Sequence, residues 1–353
     1  MKPIHEIKNL LRDEFYILNR FHGMSTICLI ICAILLFSCK GIDSEAVTLE
    51  TPFTIEAIEE GDVILNIDSR EAVSLEYSIN QGDKQKTTIE DTVIVKLKKG
   101  DKMELFGDNG KAPYIQTTPK CYIYGNVMSL LSSTTFGELS TIESPHAFMG
   151  MFMGNTNIML HDSKELLLPA KRLSRKCYMF MFDGCTSLTT APELPAKILA
   201  ESCYEGMFQG CTSLTIVPEL PATVLSEGCY AGMFAGCTSL TTAPELPATV
   251  LAEGCYSGMF AGCTSLTTAP ELPAMRMEKA CYRAMFADCA NLSIAPELPA
   301  MQLAKKCYAE MFYNCPNLVE PPLLPATELE RDCYKDMFEN DNEKPGVEVE
   351  FTE

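Results

Sequence analysis

One hydrophobic pattern dominates the second half of the chain. Cys-Tyr-x-x-Met-Phe-x-x-Cys returns every 26 residues, with first cysteines at Cys177, Cys203, Cys229, Cys255, Cys281 and Cys307 and a truncated copy from Cys333. Within one copy, Cys255, Met259 and Cys263 are four apart, and so are Tyr256 and Phe260. That spacing places all five on one face of a helix, so it predicts a short helix ending near Ala261. The next position is Gly184, Gly210, Gly236, Gly262, Asp288 and Asn314 in successive copies. These residue types tolerate the left-handed conformation that closes a helix. Gly254 and Gly258 each weaken a helix by roughly 1 kcal/mol relative to alanine, so packing must hold it.

After the predicted helix comes Thr-Ser-Leu-Thr-Thr-Ala-Pro-Glu-Leu-Pro-Ala, in which Leu266, Ala269 and Leu272 are the apolar positions. The threonines favour a short strand, and the prolines turn it away near Pro270 to Pro273. The fold class this predicts is an α/β solenoid, a right-handed array of 26-residue coils, each a short helix plus a short strand. One coil is too small to bury its own apolar face, so the copies must stack.

The start of the array is irregular. Met151-Phe152-x-Gly154-Asn155-Thr156-Asn157-Ile158 matches the repeat, but Leu168-Pro169-Ala170 arrives four residues late. This reads as an atypical first coil with a small insertion. Residues 48–118 alternate apolar and polar instead: Val63, Leu65 and Ile67, then Val73, Leu75, Tyr77 and Ile79, then Val93, Val95 and Leu97. The period of two predicts a small β-sandwich-like domain. Residues 119–176 form a linker with the irregular first repeat, 177–340 the regular array, and 341–353 an acidic tail or capping strand.

Residues 27–37 are an uninterrupted apolar run. The run is short for a membrane span and fits the core of a secretory signal. Leu36-Phe37-Ser38-Cys39 resembles the lipobox of bacterial lipoproteins, so 1–39 read as a lipoprotein signal peptide, Cys39 as the lipidation site and 40–47 as a tether. The alternatives are an uncleaved anchor or an ordinary signal.

A formal charge of −19 disfavours nucleic acid and anionic lipid surfaces as partners. Of the 17 cysteines, most belong to the repeat. Two cysteines eight apart on a helix are about 12 Å apart, beyond disulfide reach. Buried thiol columns acting as small hydrophobes are the expectation, with bridges between coils as the alternative. No Cys-x-x-Cys pair occurs and no histidine lies within the regular repeats, so no metal or cofactor is expected. His146 and His161 are the only histidines after residue 39, and no nucleophile pattern accompanies them.

One repeated polar position stands out. Glu193, Glu219, Glu245, Glu271 and Glu297 occupy the same step of successive coils. Strands stacked at about 4.8 Å would turn them into an acidic column. Such a column is either a solvated edge or a ligand-binding surface for a basic partner or calcium.

Met233-Phe234-Ala235-Gly236-Cys237-Thr238-Ser239-Leu240, followed by a proline-containing strand, resembles the BspA-like leucine-rich repeat family of bacterial surface proteins. The resemblance covers about residues 145–340. It implies a curved right-handed solenoid, surface display and adhesion to proteins or cells. The chain departs from the family in its period of 26 and in the Pro192-Glu193-Leu194-Pro195 phrase. The family has no general ligand site to carry over. The expectation is a non-enzymatic outer-membrane lipoprotein, anchored in the membrane through its N-terminal lipid and binding a protein or glycan ligand. The alternatives are a glycan-binding lipoprotein in polysaccharide uptake and an enzyme with a site in residues 48–161.

Overall fold

The computed structural model describes residues 46–66, 73–89, 92–319 and 321–339. Cys39, Ile67, the signal segment and the acidic tail lie outside them.

The described part of the alternating segment forms two sheets. Strands β1 (Thr54–Ala57), β3 (Val73–Ile79), β4 (Gln85–Ile89), β6 (Lys102–Gly107) and β8 (Cys121–Asn126) join one sheet in the order β8-β1-β6-β3-β4. Strands β2 (Gly61–Asn66), β5 (Thr92–Leu97) and β7 (Tyr114–Thr117) form the second, with β2 central. Every pairing among these strands is antiparallel. Side chains at alternate positions, such as Val63 and Leu65 on β2 and Met103 and Leu105 on β6, are fully buried in a shared core. Strand β8 lies inside the segment read as a linker, yet it carries the junction. Its outer edge pairs in parallel with β9 (Ile158–Leu160) and β10 (Leu166–Leu167), both from the irregular first copy.

Among the described residues the repeats contain no helix, which corrects the helix expected from the four-residue spacing. In the copy from Cys229, backbone N–H groups alternate between two kinds of partner. Those of Ala231, Met233 and Ala235 bond three residues back, to Gly228, Tyr230 and Gly232. Those of Tyr230, Gly232, Phe234 and Gly236 bond forward to Cys255, Ser257, Met259 and Ala261 of the next copy, at 2.7–3.0 Å. The motif is therefore a ribbon of overlapping turns, stitched to its neighbour at every second amide. Each fourth residue has positive φ, as at Gly228 (57°), Gly232 (60°) and Gly236 (72°). The ribbon repeats every four residues, so it keeps the i, i+4 face that a helix would give.

The expected strand is also reduced. Among the described residues, backbone pairing between copies beyond the ribbon consists of single parallel bridges, such as Thr190↔Ile216 and Val224↔Val250. The Pro-Glu-Leu-Pro-Ala stretch is extended and alternates inward and outward. Leu194 and Ala196 are buried while Glu193 and Pro195 are exposed. Prolines cannot donate to a ladder, and no backbone hydrogen bond links this stretch to a neighbouring copy among the described residues.

Packing between copies rests on two aromatic columns. Tyr178 to Tyr334 stack at ring-centroid spacings of 5.7–5.9 Å, and Phe152 to Phe338 at 5.4–5.8 Å. Neighbouring planes are nearly parallel, 1° apart for Phe182–Phe208 and Tyr204–Tyr230. A centroid spacing wider than the about 4.8 Å between neighbouring strands makes these offset stacks, the favoured geometry for parallel rings. The sandwich closes the phenylalanine column: Phe53, just before β1, meets Phe152 at 5.9 Å with its ring tilted 56°. The residues expected to point inward, including Tyr256, Met259, Phe260 and Leu266, are all buried. The architecture is thus mostly sheet and turn, with a periodic array built on an aromatic ladder.

Candidate functional site

The 14 described cysteines are unpaired and buried. The second cysteine of each copy has a definite bond. The thiols of Cys185, Cys211, Cys237, Cys263, Cys289 and Cys315 donate to the carbonyl of a phenylalanine in the preceding copy, at 3.0–3.2 Å. In the first copy Asn155 takes this place, and its amide donates to the Ile115 carbonyl on β7 at 3.1 Å. Burial pushes the Cys211 and Cys263 thiols up to about 12. A thiolate is the nucleophile and the metal ligand, and burial keeps these thiols protonated. No group of three or more His, Cys, Asp or Glu able to hold a metal ion occurs among the described residues.

Glu193, Glu219, Glu245, Glu271 and Glu297 are all exposed, one per copy, on the outward side of the extended stretch. Glu219 and Glu245 flank a shallow cleft of about 320 Å³ floored by Val217, Leu220 and the neighbouring prolines. Glu193 faces a larger feature. A groove of about 440 Å³ opens between the first copy and the second, walled by His161, Asp162, Lys164 and Glu165 on one side and Thr189, Thr190 and Glu193 on the other.

The late arrival of Leu168-Pro169-Ala170 explains the groove. Leu160 stands where Thr190 stands one copy later, and His161 to Lys164 are the four inserted residues. His161 and Lys164 bridge each other, so the insertion is a tight excursion between β9 and β10.

The excursion is pinned from behind by the sandwich. Lys164 Nζ donates to Glu56 Oε2 at 3.0 Å, and the Tyr124 hydroxyl donates to the same oxygen at 3.0 Å. Lys164 also lies 4.5 Å from the Tyr124 ring centroid. Partial burial pushes the Glu56 carboxyl up, but hydrogen bonds from Lys164 and Tyr124 and the Lys164 charge outweigh it and hold it below the ordinary carboxylate value. The His161 ring packs edge-on against Tyr122, 4.8 Å between centroids. Burial, reinforced by the Lys164 charge, lowers His161, so the ring is neutral at neutral pH.

The two histidines do not share these surroundings. The charges around His146 are Arg175, Lys176 and Lys111, whereas those around His161 are Lys164, Glu56, Asp162 and Lys102. The structure thus brings His161 and Glu193 to one groove and leaves the other four column glutamates along the array. Sequence reading missed the Glu56–Tyr124–Lys164 cluster. Its only trace in the chain was the four-residue offset.

No protein-family model, curated protein or solved structure matches this chain.

Proposed function

We propose that the chain is a non-enzymatic, surface-displayed binding protein whose array is a right-handed solenoid of the leucine-rich repeat type, similar to the BspA-like family. Its ligand is a macromolecule, a protein in the first place, and Cys39 carries the lipid that anchors it in the outer membrane. Ribbon-for-helix replacement is compatible with this reading, because it preserves the inward face on which the stacking depends.

One observation carries the binding role. Ile198, Val224 and Val250 form an exposed aliphatic column, 48%, 58% and 53% exposed, five residues after the exposed glutamates of the same copies. Contiguous exposed apolar positions rimmed by charge are the usual mark of a protein-binding face. The buried, unreactive thiols support a structural rather than a chemical role for the array.

The experiment is an array of host proteins and glycans probed with the detergent-solubilised full chain. A protein ligand lost on the double substitution Val224→Glu, Val250→Glu is the expected result. Binding to glycans alone, unaffected by that substitution, would replace this reading by one of polysaccharide capture. Separately, Cys39→Ala is expected to abolish fatty-acid labelling; persistent labelling would remove the anchor.

A further inference from the structure

We propose that the groove between the first and second copies takes an extended polypeptide segment bearing lysine or arginine, which adds as a short strand to the backbone edge at Thr190 and sets its cations against Glu193 and Glu165. This rests on the binding-protein reading and adds to the aliphatic column a second, separate contact of stated partner chemistry.

The backbone edge beside the groove is open. Where copies bridge regularly, Ala191 N–H bonds to the Ile216 carbonyl at 2.9 Å and Ile216 N–H to the Thr189 carbonyl at 3.3 Å. A parallel pairing of this kind uses residues 189 and 191, so the N–H and C=O of Thr190 itself point the other way, toward the first copy. Leu160 holds the position that should answer them, but no Leu160–Thr190 bridge forms. Neither backbone group of Thr190 has a partner among the described residues. What separates Thr190 from other unbridged positions is room, since the groove of about 440 Å³ lies directly beside it. An unpaired edge beside an open slot is a template for strand addition.

The groove also matches a cationic strand in charge and polarity. Asp162, Glu165 and Glu193 bring three carboxylates to the groove, and its single lysine is already engaged by Glu56. The floor is apolar, formed by Leu166, Leu167, Pro169 and Pro192. An added strand sends alternate side chains to opposite sides. One set would meet the leucines and prolines, and the other the carboxylates. A chain with formal charge −19 also attracts cationic partners and repels acidic ones.

The probe is an eight-residue peptide of alternating lysine and threonine, labelled for fluorescence anisotropy and titrated with the full chain in detergent at low salt. Saturable binding is expected. N-methylation of alternate peptide amides keeps the charge and removes strand pairing, and is expected to weaken binding more than about tenfold. Glu193→Gln is expected to weaken it about three- to fivefold, and Glu278→Gln, the same charge change on another face, to leave it unaltered. Deleting residues 161–164 restores the regular period and should abolish binding. Equal affinity of the methylated peptide overturns the proposal, as does an equal loss from Glu278→Gln or no saturable binding at all. A ligand found on the protein array in the face of such a result overturns only the groove assignment and leaves the binding-protein reading standing.

Discussion

The thiol of Cys237 donates to the backbone carbonyl of Phe208, 3.1 Å away in the preceding copy. The same carbonyl accepts the Cys211 N–H at 3.1 Å. One oxygen therefore ties the turn of its own copy to the side chain of the next. Cysteine suits the place because it is small, apolar in bulk and still a weak donor. Replacing Cys237 by alanine removes the bond and leaves a small void, so a loss of about 1–2 kcal/mol is expected in urea denaturation. An unchanged midpoint would show that the thiol is filler only.

Positive φ at every fourth residue sets a second expectation. Gly258 has φ 62°, and a Cβ there would meet nothing within 4 Å. Gly258→Ala therefore isolates the conformational cost, about 1 kcal/mol. The reverse change Ala284→Gly, at φ 51°, should stabilise by a similar amount. Gly206→Ala should cost more than Gly258→Ala, since its new Cβ would strike the Phe180 ring. Thermal unfolding of the three variants tests the ranking.

The tyrosine column contains a built-in flaw. The hydroxyls of Tyr178 and Tyr230 are buried without a hydrogen-bond partner among the described residues. An orphaned buried hydroxyl costs about 1–3 kcal/mol. Tyr230→Phe keeps the stacked ring and removes the orphan, so it is expected to raise the denaturation midpoint. A fall would reveal a partner for that oxygen.

Stability should fall in alkali. An unfolded thiol ionises near its ordinary value of about 8.5. The folded Cys203, Cys211, Cys255 and Cys263 thiols hold their protons up to about 12 because burial disfavours the thiolate. Below about pH 8.5 both states are protonated and this stabilisation is intact. Above it the unfolded chain binds fewer protons than the folded one, so stability declines with rising pH. Each such thiol contributes up to about 1.4 kcal/mol per pH unit. The urea midpoint is expected to drop steeply between pH 8.5 and 10.5; a flat profile would contradict buried, protonated columns.

Much of this architecture was legible in the chain. The 26-residue period marks the array, and the alternation of Val63 and Leu65 marks a half-buried strand. The inward face of the repeat was also readable, because Cys255, Met259 and Cys263 share it in a helix and in the turn ribbon alike. That is why the helix was the wrong reading: over eight residues a period of 3.6 and a period of four give the same face. The signal that separates them was present in Gly254, Gly258 and Gly262. Glycines four apart mark three left-handed residues, not one helix end and two weak points. The groove was illegible for another reason. Glu56 and Lys164 are 108 residues apart, and no local pattern links them. Only the four-residue offset after Leu160 hinted that the first copy opens there.

Every second amide of the motif reaches the next copy. Through-hydrogen-bond scalar couplings in a long-range HNCO experiment on deuterated protein read those partners directly. The account predicts a correlation from the Phe234 amide to the Met259 carbonyl, across a 2.9 Å bond, and from the Tyr230 amide to the Cys255 carbonyl. A correlation from Phe234 back to the Tyr230 carbonyl, four residues earlier as in a helix, would contradict it.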